Sequence, residues 1–134
     1  AAGFLVKSVN VLRHHSRQLP LPLPTGQHLV GNVGFKSQWK HEQYSLTYFD
    51  SEKWYLALDK AEEYDWKGAM DIWLSLLHTN DMIKRASAEY NIAVACYLLG
   101  DLELAEEWLK KSKADNDMPT LTDAMSKRIE AMKN

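Results

Sequence analysis

Most of the C-terminal half of the chain has a helical hydrophobic pattern, with apolar residues recurring every three to four positions. Between residues 87 and 112 two such patterns follow one another, and the first has its apolar face from Tyr90 to Tyr97. Gly100 and Asp101 separate them, which suits a left-handed helix end followed by an N-cap. The spacing therefore predicts a helical hairpin.

The same pattern occurs 36 residues earlier in the chain. Seven aligned pairs agree in size or identity at this offset: Trp54 and Tyr90, Leu56 and Ile92, Ala57 and Ala93, Asp65 and Asp101, Trp66 and Leu102, Ala69 and Ala105, Trp73 and Leu109. Tyr64 is the exception, because it stands where the second hairpin has the conformationally permissive Gly100. One offset that holds across a whole helix–turn–helix predicts a repeat.

The first 49 residues have no comparable helical period. Residues 4–12 are rich in β-branched side chains and predict a strand, whereas residues 19–26 alternate leucine with proline and predict an extended connector. Residues 27–41 could form a helix, although two glycines weaken that interpretation. Residues 44–49 alternate in a way that fits a short strand or the lead-in to the first repeat helix.

The predicted fold class is mainly α, with two helical hairpins and a C-terminal capping helix in residues 50–134. Residues 1–49 form an irregular or partly β N-terminal arm. The last helix should begin at Thr120 or Thr122 and end near Lys133. Because a helical repeat buries its face only against neighbours, the open side of the first hairpin must be covered by the arm or by another copy of the chain.

The stretch from Tyr90 to Ala105 resembles the tetratricopeptide repeat (TPR), and the stretch from Asp65 to Trp73 resembles it less closely. The resemblance covers residues 50–113. Together these stretches also resemble uncharacterised Bacteroidales envelope proteins that carry a C-terminal pair of such repeats. This narrower resemblance implies a location in the bacterial envelope or periplasm.

The TPR resemblance implies a non-enzymatic protein–protein interaction module, in which the first helix of each repeat lines a groove for a peptide. The groove positions carried over to this chain are Trp54, Leu58, Tyr90, Asn91, Val94 and Tyr97. Asn91 stands where some members bind a C-terminal carboxylate. The preceding repeat has Trp54 and Leu58 instead of the lysine and asparagine of that clamp, so the groove suits an apolar or helical peptide.

A structural explanation of the same aromatic stripe stays open. Aromatic residues at helical spacing form core more often than binding sites, and the N-terminal arm or a dimer mate could fill the groove. The chain would then be a scaffold domain, and the unknown partner protein or peptide would have no access to these residues.

Residue chemistry gives no indication of an enzyme, a cofactor or a metal site. Acidic side chains occur as sequence neighbours, such as Glu106 and Glu107, which cannot converge on one substrate. The lone Cys96 lies in an apolar helical pattern and is expected to be a packing residue. No apolar run has the length of a membrane span.

Charge is divided unevenly along the chain. Five basic residues and no acidic one precede Glu42, whereas acidic residues are in excess beyond it. A basic arm can contact nucleic acid or an anionic membrane. Five charges over forty residues are sparse for that role, and an arm that lies against acidic helices accounts for them equally, so no nucleic-acid partner is expected.

Overall fold

The computed structural model describes residues 3–14 and 39–133. The chain divides into two compact units, one made of residues 1–9 and 45–134 and the other of residues 10–44. The first unit contains every helix that the structure describes.

The described residues form two strands and five helices. The strands pair in a two-stranded antiparallel sheet and are β1 (Leu5–His14) and β2 (Trp39–Tyr48). The helices are α1 (Glu52–Glu62), α2 (Trp66–Ser75), α3 (Met82–Leu98), α4 (Leu102–Asp115) and α5 (Pro119–Lys133). The mainly helical fold class with a partly β N-terminal segment is therefore confirmed. None of these helices has the length and apolar character needed to cross a membrane.

The strand predicted over residues 4–12 is confirmed by β1, and the strand alternative for residues 44–49 is confirmed by β2. The helix considered for residues 27–41 is wrong over its last three residues, which belong to β2. Trp39 fits a helical period by chance but pairs in a sheet, where contacts remote in sequence override a weak local pattern. The rest of that stretch, and the proline-rich connector, lie outside the described residues.

Aspartate side chains begin three of the helices. Asp65 accepts a hydrogen bond from the Gly68 amide at 2.9 Å, and Asp101 accepts one from the Leu104 amide at 3.0 Å. Asp81 binds two amides at the start of α3. Each carboxylate satisfies amides that lack a partner within the helix and complements the positive end of its dipole.

The turns after α1 and α3 have the same hydrogen bonds at the 36-residue offset. The Asp65 amide donates to the Lys60 carbonyl and the Asp101 amide to the Cys96 carbonyl, both at 2.9 Å. One position earlier, Tyr64 and Gly100 both have positive φ, of 64° and 95°. The amide of each of these residues donates to a carbonyl three positions earlier, at 3.0 Å in the first turn and 3.1 Å in the second. Each turn thus has the two bonds and the left-handed residue of a Schellman helix end. Tyr64 thus adopts the conformation that glycine adopts in the second turn.

Replacing Tyr64 with glycine should raise the free energy of unfolding by about 0.5–1 kcal/mol, because glycine has no Cβ to resist positive φ and its greater freedom when unfolded offsets only part of the gain. Tyr64 is about half exposed, so loss of the ring should cost little. Chemical denaturation measures the change. Tyr64→Ala is the matched control, since it also removes the ring but keeps Cβ; an equal gain from alanine would contradict the conformational explanation.

The helices pack in chain order, with contacts between α1 and α2, α2 and α3, α3 and α4, and α4 and α5. Ala69 and Ala105 are fully buried at equivalent positions of α2 and α4. Trp73 and Leu109 form a second equivalent pair, in which Trp73 is fully buried and Leu109 nearly so. Small residues at these positions let neighbouring helix axes approach closely. The sequence of α5 predicts an apolar face of Leu121, Met125, Ile129 and Met132; the first three are buried and Met132 is partly exposed.

Candidate functional site

Helix α3 is buried on every side for more than three turns. All twelve residues from Ala86 to Tyr97 are buried, including the polar Ser87, Glu89 and Asn91. A helix with one core-facing stripe would expose every third or fourth residue. Other parts of the chain must therefore cover each face of α3, and its buried polar groups need partners there.

Asn91 binds the main chain of β2. Its side-chain Nδ2 donates to the Thr47 carbonyl at 2.8 Å, and its Oδ1 accepts from the Thr47 amide at 2.9 Å. The amide donor and carbonyl acceptor of one residue fix the orientation of the Asn91 side chain without ambiguity. Asn91 thus contacts Thr47 as a neighbouring strand would.

The Thr47 side chain adds a second link to α3. Its hydroxyl lies 2.9 Å from both the Ser87 carbonyl and Oδ1 of Asn91. The hydroxyl has one proton, so it donates to one of these acceptors at a time. Thr47, Ser87 and Asn91 are all fully buried, which removes competition from water and makes each bond costly to lose.

Tyr90 binds β2 two residues before Thr47. Its hydroxyl donates to the Ser45 carbonyl at 2.7 Å. Burial raises the pKa of Tyr90 above its usual value, so the hydroxyl keeps its proton and remains a donor. Because main-chain groups two residues apart point to the same side of a strand, Ser45 and Thr47 both direct theirs at α3. Side chains of α3 therefore cover this edge of β2.

All six predicted groove residues are buried. Their exposed fractions are at most 5%: Trp54, Leu58, Tyr90, Asn91, Val94 and Tyr97. Tyr90 and Asn91 contact β2, and the Trp54 ring packs against Phe49, just after β2, with 5.0 Å between ring centroids. The chain itself thus occupies the face where a partner was expected. That a partner binds there stays a prediction.

Sequence analysis did not single out Thr47, Ser45 or Ser87. The alternating stretch of residues 44–49 marked a possible strand, but a strand pattern does not identify the surface against which it packs. Thr47 is a small polar residue among aromatic ones, and threonine is exposed more often than it is buried. The signal for its role is the polar Asn91 inside an apolar helical pattern, which requires a partner.

Two basic residues of the N-terminal arm form ion pairs within the chain. Lys7 Nζ lies 2.8 Å from Glu62 Oε2, and Arg13 Nη1 lies 3.7 Å from Glu42 Oε1. The hydrogen bond to Glu62 raises the pKa of Lys7. The Lys7 pair, which joins the arm to α1, agrees with the structural explanation of the basic arm, although it is half exposed and stabilises little.

A second polar cluster lies at the start of α3, where this helix meets the end of α4. Arg85 Nε is 3.6 Å from Glu89 Oε2 and 3.3 Å from Asp115 Oδ2 at the end of α4. Among the described residues, the other Glu89 oxygen, Oε1, has no hydrogen-bond partner. Burial, and secondarily the neighbouring Asp115, raises the pKa of Glu89 to about 7, while Arg85 opposes this shift. Near neutral pH this carboxyl group therefore exchanges between its charged and neutral forms.

The described part of the chain contains no group of three histidine, cysteine, aspartate or glutamate side chains that could hold a metal ion. Cys96 is buried, and burial raises the pKa of its thiol to about 11. The thiol is thus protonated at neutral pH and a poor nucleophile. Its Sγ lies 3.9 Å from Sδ of Met70 on α2, which agrees with the predicted packing role.

Comparison with known protein families gives one match. The family model described as a domain of unknown function, DUF6340, matches residues 55–133. No curated protein and no solved structure matches the chain. The matched range begins in α1 and includes all of α2 to α5, and so contains the buried helix α3. With more than half of its length matched, the chain belongs to the DUF6340 family.

Proposed function

We propose that this chain is a non-enzymatic, TPR-like scaffold domain whose α3 face binds an extended segment of its own chain. The observation that carries the proposal is the contact of one side chain, Asn91, with both main-chain groups of Thr47. Tyr90 continues the same interaction at Ser45. A helix face that binds two alternate residues of a strand through their main chain has the chemistry of a peptide-binding groove.

The TPR-like part of the proposal is supported by the two helix pairs. In each pair a Schellman turn precedes an aspartate cap, and the hydrogen bonds recur at one offset of 36 residues. A buried alanine follows each cap at the same position, Ala69 in α2 and Ala105 in α4. These are the features on which the resemblance rests.

Occupation of α3 by β2 favours the scaffold role. Peptide binding is concentration-dependent, whereas a segment of the same chain is always present at high effective concentration. Residues 45–48 thereby cover α3, the first helix of the second hairpin. In this role the domain fixes the position of the segment that enters α1.

A second candidate function is binding of a partner peptide on the same face. It is favoured by the kind of contact that α3 makes, because main-chain groups are common to all extended peptides. A partner would have to displace β2 and supply a hydroxyl or another donor in place of Thr47. The proposed site and its residues are the same for both candidates.

Amide hydrogen exchange of the full chain distinguishes these roles. For the scaffold role we expect the Thr47 amide to exchange only on global unfolding, and a labelled peptide of residues 42–50 not to bind. Tyr90→Phe should speed exchange over residues 45–48. Tyr55→Phe is the matched control, since its hydroxyl binds the exposed Asp50 at 2.7 Å.

Binding of the labelled peptide to the full chain, together with faster amide exchange in β2 when the peptide is bound, would support the partner role instead. Rapid exchange of the Thr47 amide in the unmodified chain would overturn both roles, because the segment would then not be bound to α3.

A further inference from the structure

The contacts between α3 and β2 are of two kinds, one open to any extended segment and one specific to a side chain. Asn91 binds the amide and the carbonyl of Thr47. Tyr90 binds the carbonyl of Ser45, and every residue other than proline has these main-chain groups. The third contact reaches the Thr47 side chain, whose hydroxyl lies 2.9 Å from the Ser87 carbonyl and from Oδ1 of Asn91. Main-chain contacts hold a segment in place, whereas side-chain contacts distinguish one segment from another.

The surroundings of the Thr47 hydroxyl require a hydrogen-bond donor. Both atoms at 2.9 Å are acceptors, the main-chain oxygen of Ser87 and Oδ1 of Asn91, and the bonds of Asn91 to the Thr47 main chain fix the second of them in place. An oxygen without a proton at this point would face two other oxygens. A methyl group would supply no bond to either acceptor, and water cannot supply one because Thr47, Ser87 and Asn91 are fully buried.

The same surroundings require the donor to be short. Thr47 has no exposed surface, and its hydroxyl is attached directly to Cβ, so both acceptors lie close to the main chain of the segment. Longer donors such as lysine, glutamine or tyrosine would carry their polar group past these acceptors and need space that a close-packed interior lacks. Serine and threonine meet both conditions. Threonine is the better of the two, because its methyl group fills buried volume and β-branching favours a strand.

We infer that the α3 face selects the segment that it binds, by requiring a threonine or a serine at the position of Thr47. The inference rests on the proposed function, in which residues 45–48 of this chain are that segment, and it adds a sequence requirement to the main-chain contacts. Ser87 and Asn91 supply both acceptors, so the selectivity is a property of α3. A partner peptide that displaced β2 would have to meet the same requirement.

The requirement also determines which residue of the segment binds Asn91. Main-chain groups of an extended segment point in the same direction at every second residue, so a shift by two residues would still offer suitable groups to Asn91 and Tyr90. Such a shift would bring either Ser45 or Phe49 to the place of Thr47. The Phe49 side chain has no donor and is far larger, and Ser45 has the hydroxyl but lacks the methyl group. Thr47 is therefore the residue of β2 that fits best.

Matched pairs of substitutions at residue 47 of the full chain test the requirement. Thr47→Val removes the hydroxyl from the threonine shape, and Thr47→Ala differs from Thr47→Ser in the same way. The measurement is the protection factor of the residue 47 amide against hydrogen exchange, corrected for the intrinsic rate of each residue type. We expect each chain without the hydroxyl to be about three- to tenfold less protected than its hydroxyl-bearing counterpart, because both pairs lose one buried hydrogen bond. If residue 47 only filled space, valine would protect as well as threonine.

Ser45→Ala is the matched control. It also removes a hydroxyl from a residue that α3 binds, but Tyr90 binds the carbonyl of this residue, which alanine keeps. Ser45 is half-buried, so the protection factor of the Thr47 amide should change by less than about twofold.

The outcomes separate this inference from the proposed function. Low protection of the Thr47 amide in the unmodified chain would show that the segment is not bound to α3, which overturns both. High protection in the unmodified chain, together with equal protection within either pair at residue 47 or an equal loss in Ser45→Ala, would overturn the sequence requirement alone.

Discussion

Replacing Asn91 with alanine should lower the free energy of unfolding of the full chain by about 3–5 kcal/mol. The change leaves the amide and carbonyl of Thr47 without partners, and each unpaired buried main-chain group costs about 1–3 kcal/mol. Thr47 and Asn91 are both fully buried, so water cannot replace the lost bonds without opening the structure. Chemical denaturation gives the free energy, and exchange of the Thr47 amide shows whether β2 separates before the helices unfold.

Asn91→Asp separates the hydrogen bonds from the cavity that alanine leaves. Aspartate has the shape of asparagine, but it places an oxygen or a hydroxyl where Nδ2 donates to the Thr47 carbonyl. An ionised carboxylate at this buried position is strongly unfavourable, so Asn91→Asp should also destabilise the chain and do so more at high pH. Asn80→Ala, in the exposed connector before α3, is the matched control and should change stability by less than about 0.5 kcal/mol. Similar values for Asn80→Ala and Asn91→Ala would contradict the assignment of Asn91 as the residue that holds β2.

The helical half of the fold could be predicted because its information is local. Asp101 caps α4 as predicted, and Asp65, which the 36-residue offset aligns with it, caps α2. Ala69 and Ala105, aligned at the same offset, are both fully buried. Tyr64 shows that the hydrogen bonds of the repeated turn outweigh the conformational preference of a single residue type. The hydrogen bonds of the turn require a left-handed residue there, and tyrosine adopts that conformation in place of glycine.

Of the candidate site, the sequence predicted the residues of α3 but not the residues of β2 that they contact. The TPR resemblance implied that Tyr90 and Asn91 face a groove. Their contacts, Ser45 and Thr47, are more than forty residues away in sequence, and nothing in a short alternating segment specifies the helix against which it packs. The sequence therefore could not decide whether a partner or the N-terminal arm contacts these residues, and the three-dimensional contacts were needed to identify β2.

Glu89 was not predictable for a related reason. On an isolated amphipathic helix a glutamate one residue before Tyr90 would be expected in solvent. Burial of α3 on all sides arises only when α2, α4 and the N-terminal segment pack around it, which no helical period indicates. Its raised pKa is thus a property of the tertiary structure.

Glu89 should make the stability of the chain depend on pH between about 4.5 and 7. The folded state holds the proton more tightly than the unfolded state, since burial raises the pKa of Glu89 from 4.5 to about 7. Its contribution to stability is therefore complete below pH 4.5 and is lost as the pH rises through 7. The full difference corresponds to about 3 kcal/mol, at 1.36 kcal/mol for each tenfold change in proton affinity.

Glu89→Gln isolates this contribution because glutamine keeps the shape and cannot ionise. The free energy of unfolding of the variant relative to the unmodified chain should rise by about 2 kcal/mol between pH 5 and pH 8. Taking the difference between the two proteins at each pH cancels the titration of histidines and of other carboxylates. Glu107→Gln, on the exposed face of α4, is the matched control and should show no such rise. If the Glu89→Gln difference is the same at both pH values, the Glu89 carboxyl does not retain its proton in the folded chain, and the Arg85 ion pair outweighs its burial.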